Sequence, residues 1–154
     1  MNLGEITAKI KLSDVEVFEN VANIIQWYYD NCDTVNASEI LAYRDRLATL
    51  SYNVAHISAE FKSHYNGKYY IRKIETAKSK QGFITAKGKS AAAAEVAAMI
   101  DTQDLLKNEI EAEAASYKID ILLKQINKIL EAMNQRIAFV RAEEYTNRQQ
   151  GHNG

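Results

Sequence analysis

Residues 121–140 read ILLKQINKILEAMNQRIAFV. Leu123, Ile126, Leu130, Met133, Ile137 and Val140 alternate in steps of three and four, the period of a helix that packs along one edge against other helices. Ile119, Leu122 and Ile129 lie beside this seam and widen it beyond what a two-stranded zipper needs. A stripe so wide calls for more than one partner helix. Two arrangements supply them: a bundle or ring of subunits, with the seam as the oligomer interface, or a single chain that lays the stripe over its own N-terminal helices.

The rest of the composition agrees with an all-α chain. There is no proline among 154 residues and there are only six glycines, so little interrupts a helical backbone. From Ser90 to Arg148 neither residue occurs, and SAAAAEVAAMI at 90–100 is dominated by the strongest helix former. One long helix over 90–148 is expected, with Asp101-Thr102 as the place where it can bend around an internal cap. The length suits one domain. The single cysteine, Cys32, excludes an internal disulfide and suits a reducing compartment. No apolar run approaches a membrane span and no leader-like segment opens the chain, so a soluble, cytoplasmic protein is expected, without membrane partners.

Nearer the N-terminus, Ile6, Ala8 and Ile10 alternate with polar residues, as in a short strand. SDVE at 13–16 has the form of a capping box and predicts a helix start. Val17, Val21, Ile24 and Tyr28 follow at helical spacing, flanked by Phe18, Ile25 and Tyr29, until DNCDTVN ends the pattern. NASE at 36–39 offers a second cap. Ile40, Leu41, Leu47, Leu50, Val54, Ile57 and Phe61 then carry a helix toward Asn66-Gly67, where glycine can close a C-terminus. A helical hairpin over 13–66 is the expectation. The tail from 149 to 154, QQGHNG, is polar and expected to be disordered.

Between Lys68 and Gly88 the apolar helical period fails. KYYIRKIETA and GFITAK alternate loosely around KSKQG, which fits either a short β-hairpin or a mobile loop. This stretch also holds the charge. Lys62, Lys68, Arg72, Lys73, Lys78, Lys80, Lys87 and Lys89 face a single acid, Glu75, so the 62–89 window is +7 in a chain of net charge −1 and the remainder is −8. Lysines strung along such a segment can displace counterions from several phosphates. Phe61, His64, Tyr65, Tyr69, Tyr70 and Phe83 are interleaved with them, and rings among cations are the composition of single-strand binding sites. The candidate nucleic-acid-binding residues are Lys62, Tyr65, Lys68, Tyr69, Tyr70, Arg72, Lys73, Lys78 and Lys80. A solvated connector with Tyr69, Ile71 and Phe83 lying on the bundle has the same composition.

Catalytic signals are thin. Glu60 and His64 stand four apart on one predicted helix, but no second pair accompanies them to complete a metal site. Glu109 and Glu113 share a face, which an exposed helix surface explains. GKS at 88–90 resembles the end of a phosphate-binding loop, yet Phe83 stands where that motif requires glycine. His56 reads as a packing residue and His152 lies in the tail. A non-enzymatic protein without cofactor is expected.

The order of elements resembles that of the phage recombination mediators of the UvsY type: two N-terminal helices, a Tyr-x-Gly-basic turn, a polar stretch and a long C-terminal helix. The turn is Tyr65-Asn66-Gly67-Lys68, and ILLKQINKILEAMNQR at 121–136 is similar to that family's Ile-Leu-Leu helix with a Leu-acidic-Ala pattern before an arginine. The resemblance runs from about Val21 to Glu143. It implies a helical, ring-like homo-oligomer joined through its C-terminal helices. It also implies single-stranded DNA as ligand, and help in loading a RecA-type recombinase onto strands covered by single-strand-binding protein, without ATP hydrolysis, in the cytoplasm of an infected bacterium. Lys68 matches the basic residue of the turn. The family's basic residues just before the turn are represented here by Lys62 alone, beside Ala59 and Phe61. The other class of function compatible with the coiled-coil pattern is a structural or adaptor protein, such as a virion component, that assembles without binding nucleic acid.

Overall fold

The computed structural model describes residues 12–150 and is helical throughout, with no strand among the described residues. Four helices follow one another: α1 (Leu12–Asn31), α2 (Ala37–Thr85), α3 (Ala91–Asp101) and α4 (Gln103–Gln150). The strand expected over Ile6–Ile10 and the side chain of the Ser13 cap lie outside the described residues, as does the tail beyond Gln150. No helix is long and apolar enough to cross a membrane among the described residues.

The largest departure from expectation is α2. It continues through Asn66-Gly67 and through the whole stretch read as a β-hairpin or loop, ending at Thr85. Gly67 sits on the exposed face, and a helical glycine costs only about 1 kcal/mol relative to alanine, which packing on either side can offset. The turn falls at Gly88 instead, which alone among the described glycines takes a positive φ, 62°. That conformation suits glycine, and the turn is closed by the Lys89 N–H donating to the Phe83 carbonyl at 3.2 Å.

The predicted cap at Asn36 forms: the Glu39 N–H donates to Asn36 Oδ1 at 3.0 Å. Ser90 caps α3 by accepting from the Ala93 N–H. The long C-terminal helix is interrupted for one residue at Thr102, where φ is −104° and ψ is 16°. Its N–H still donates to the Ala98 carbonyl at 3.0 Å and its own carbonyl accepts from Leu106 at 3.2 Å, so the break is a bend rather than a turn.

The chain forms two compact units, one of residues 12–57 with 120–150 and one of Ser58–Ile119. The first is a three-helix unit with a core of large aliphatic side chains. Val21 and Ile24 of α1, Ile40, Leu47 and Val54 of α2, and Ile126, Met133 and Ile137 of α4 are buried, each contributing about 1.5–3 kcal/mol. Trp27 stacks on Tyr43 with ring centroids 3.6 Å apart, locking α1 to the start of α2. Arg136 reaches the turn between them, its Nε donating to the Cys32 carbonyl at 2.8 Å, and Arg44 Nε donates to Asn134 Oδ1 at 3.0 Å. These bonds fix α4 in register against both partners.

The second unit, here the α3 unit, has a different interior. Its buried residues are Ser58, Ala94, Ala98, Thr102, Glu109, Ala112, Ser116 and Ile119, mostly small or polar. Large apolar side chains point outward: Tyr70, Ile71 and Ile74 on α2, Val96, Met99 and Ile100 on α3, and Leu106, Ile110 and Tyr117 on α4. What replaces a hydrophobic core is a row of polar pairs, described next.

Candidate nucleic-acid interface

The basic segment is the second half of α2, so its side chains are placed by the 100° step of a helix. Lys62, Tyr69, Lys73 and Lys80 are separated by seven, four and seven residues and share one flank. Lys62 and Lys73 are exposed there. Lys73 Nζ lies 5.0 Å from the centre of the Tyr69 ring, and Tyr70 meets Tyr69 edge-on at 5.4 Å while remaining 63% exposed. The Lys73 ammonium thus lies over the Tyr69 ring, as does the Arg72 guanidinium at 5.8 Å. At the helix end Lys87 and Lys89 sit 4.5 Å and 4.9 Å from the centre of the Phe83 ring, drawn together by the Gly88 turn.

The other predicted residues go elsewhere. Tyr65, Lys68 and Arg72 lie toward the interior side of α2 and are half-buried. The Arg72 guanidinium forms a two-pronged pair with Glu109 of α4: Nε donates to Oε2 at short range and Nη2 to Oε1 at 3.2 Å. Side-chain exposure is 24% for Arg72 and 9% for Glu109. The hydrogen bond to Glu109 raises the guanidinium's pKa above its ordinary value, against the opposing effect of burial. Burial, with help from the Glu113 and Glu109 carboxylates, raises the Tyr65 phenol above its ordinary value. Lys80 Nζ pairs with Glu95 Oε2 at 2.9 Å, and Lys78, on the far side of the helix, pairs with Glu75 at 2.8 Å. The nine residues therefore do not form one surface: Lys62, Tyr70 and Lys73 are exposed beside the half-buried Tyr69, and Arg72 and Lys80 are engaged by carboxylates.

Between Arg72 and Lys80 the row of pairs continues. Thr102 Oγ1 donates to the Ala98 carbonyl at 2.8 Å, so in the 2.9 Å contact between the Thr76 and Thr102 hydroxyls Thr76 is the donor. Ser79 donates to Asp101 at 2.6 Å. α3 and the start of α4 are in this way held along α2 by Glu109, Thr102, Asp101 and Glu95. Sequence reading assigned none of these a partner, and it placed Glu109 on an exposed surface, which the structure corrects. The signal was present in phase: Glu109, Ala112, Ser116 and Ile119 continue the three-four spacing of Leu123 and Ile126, so Glu109 occupies an interior position where a lone carboxylate is costly and a cation is needed.

The expected oligomer seam is found inside the chain. Ile126, Met133, Ile137 and Val140 are buried in the three-helix unit, with Leu123 and Leu130 half-buried beside them.

Among the described residues no group of three or more His, Cys, Asp or Glu side chains could hold a metal ion. A surface depression of about 270 Å³ is lined by Phe139, Ala142, Glu143, Thr146 and Asn147. No protein-family model, no curated protein and no solved structure matches the chain.

Proposed function

We propose that this protein is a non-enzymatic, self-associating binder of single-stranded nucleic acid, and that it serves as a recombination mediator, helping a RecA-type recombinase onto strands covered by single-strand-binding protein. The observation that carries the binding is the exposed flank of α2, where Lys62 and Lys73 bracket Tyr69 and Tyr70, extended by Lys87 and Lys89 around Phe83. Rings at this spacing offer stacking platforms to unpaired bases while the ammonium groups meet phosphates. The mediator role rests on the sequence resemblance of Tyr65-Asn66-Gly67-Lys68, a segment that is helical here, and of the 121–136 helix to the UvsY type. One such flank is a weak site, and repetition of it in an assembly raises affinity through effective concentration.

Self-association is assigned to the outward apolar residues of the α3 unit, Val96, Ile100, Leu106, Ile110 and Tyr117, because the 123–140 seam is already covered within the chain. These same exposed residues favour a second reading, an assembly or virion component that oligomerises without nucleic acid. A titration of labelled oligothymidylate followed by anisotropy separates the two. The binder gives saturable binding at low salt that weakens by roughly 0.7 log units per log unit of salt for each phosphate neutralised. The pair Lys62→Glu with Lys73→Glu abolishes it without loss of helicity. Absence of binding at low salt, in a protein that still sizes as an assembly, rejects the binder in favour of the assembly component. Arg72 is unsuitable for that reversal, because a glutamate there would face Glu109.

A further inference from the structure

We infer that α3 and the start of α4, residues 91–119, form an acidic clasp that competes with nucleic acid for the cations of α2, so that strand binding is coupled to release of the clasp. This inference rests on the binding role proposed above and concerns the regulation of that same site. Three observations lead to it. Arg72 and Lys80, two of the cations in the +7 window, are held by carboxylates of α4 and α3 at hydrogen-bonding distance. The carboxylate of Glu109 offers the guanidinium the same two-oxygen geometry that a phosphate would, and phosphate diesters bind the guanidinium fork equally well. Glu95 and Lys80 are surface groups, so their exchange for a phosphate needs little desolvation.

The second observation is how little else holds the clasp. Its buried residues are Ala94, Ala98, Thr102, Glu109, Ala112, Ser116 and Ile119, of which Ile119 alone is a large aliphatic, so little apolar area is removed from water. Its larger side chains Val96, Met99, Ile100, Leu106 and Ile110 are mostly exposed, so their burial contributes little to holding the helices together. The third is the one-residue break at Thr102, whose hydroxyl both closes α3 through the Ala98 carbonyl and accepts from Thr76 of α2. A contact made of exchangeable polar pairs around a bend is one that a polyanion can take over pair by pair, gaining Arg72 and Lys80 as it does.

The test uses the full chain with Glu95→Gln and Glu109→Gln, oligothymidylate as probe, and amide hydrogen exchange of the wild type with and without the oligonucleotide. Glu95→Gln, on the surface, is expected to tighten binding about two- to fivefold, and Glu109→Gln by about tenfold. Exchange over 91–119 should accelerate when the oligonucleotide binds, while 121–140 is unchanged. Since Glu109→Gln leaves Arg72 facing a neutral amide, its helicity is checked first, and Glu95→Gln with the wild-type exchange experiment decides alone if it fails to fold. Wild-type binding with both variants unchanged and 91–119 equally or better protected overturns the clasp and leaves the binding role standing. No binding by any of the three proteins at low salt overturns both.

Discussion

Replacing Ile126 by alanine probes where the C-terminal seam does its work. The side chain is fully buried between α4 and its partners in the three-helix unit. Ile→Ala removes three carbons, a transfer loss of about 2.4 kcal/mol, to which the cavity adds up to the observed range of about 2–5 kcal/mol. Trp27, the only tryptophan, belongs to the same unit and stacks on Tyr43, so its fluorescence follows this unit rather than the whole chain. With a urea slope of about 2 kcal/mol per molar, a loss near 3 kcal/mol lowers the Trp27 midpoint by roughly 1.5 M. Because the seam is filled within the chain, the shift should be the same at micromolar and at tenfold higher protein concentration, and the mass in solution should not change. Ile110→Ala, on the outside of the α3 unit and 54% exposed, should cost under about 0.5 kcal/mol and so shift this midpoint by under about 0.25 M. A loss below about 1 kcal/mol for Ile126→Ala, or a midpoint that climbs with protein concentration only in the wild type, would mean that the seam belongs to an interface between chains.

Removing one partner of the Arg72–Glu109 pair strands the other: Arg72→Ala should destabilise the 58–119 region by about 2–3 kcal/mol, discounted from a fully buried pair for the partial exposure of arginine, whereas Arg72→Leu combined with Glu109→Leu should fall within about 1 kcal/mol of wild type, both read from amide exchange. A Cβ at Gly67 meets nothing within 4 Å and the backbone there is helical, so Gly67→Ala should stabilise by about 0.5–1 kcal/mol, while Gly88→Ala, forced into positive φ, should destabilise by about 1 kcal/mol; melts of the two variants should move in opposite directions. The phenol of Tyr28 is raised mainly by burial, so the folded state holds its proton longer than the unfolded chain, and the stability this provides is intact below the ordinary tyrosine value of 10.0 and is lost as pH rises beyond it. Urea midpoints at about pH 9 and pH 11 should therefore fall less for Tyr28→Phe than for wild type.

What could be read from sequence divides along the two units, for a physical reason. In the three-helix unit the partners are large aliphatic residues, whose burial depends on hydropathy alone, so the spacing of Val21, Ile24 and Tyr28 or of Ile126, Met133 and Ile137 announces the buried face without knowledge of what covers it. In the α3 unit the buried face of α2 runs through Tyr65, Lys68, Arg72, Thr76 and Ser79, a sequence that looks like loop or ragged strand because none of these residues prefers the interior by itself. Arg72, Thr76 and Ser79 become interior residues only with their partners Glu109, Thr102 and Asp101, more than twenty positions away. Local pattern cannot carry that information. The same reason explains the misplaced turn: Asn66-Gly67 has the chemistry to end a helix, but the pairs made beyond it outweigh a cost of about 1 kcal/mol, and Gly88 ends α2 where those pairs stop. It also bears on function. Polar pairs specify register as firmly as aliphatic packing does, but they can be exchanged for other polar partners, which aliphatic packing cannot. The half of the protein least legible in its hydropathy is therefore the half held by exchangeable polar contacts, and two of the cations that made the segment conspicuous, Arg72 and Lys80, take part in them.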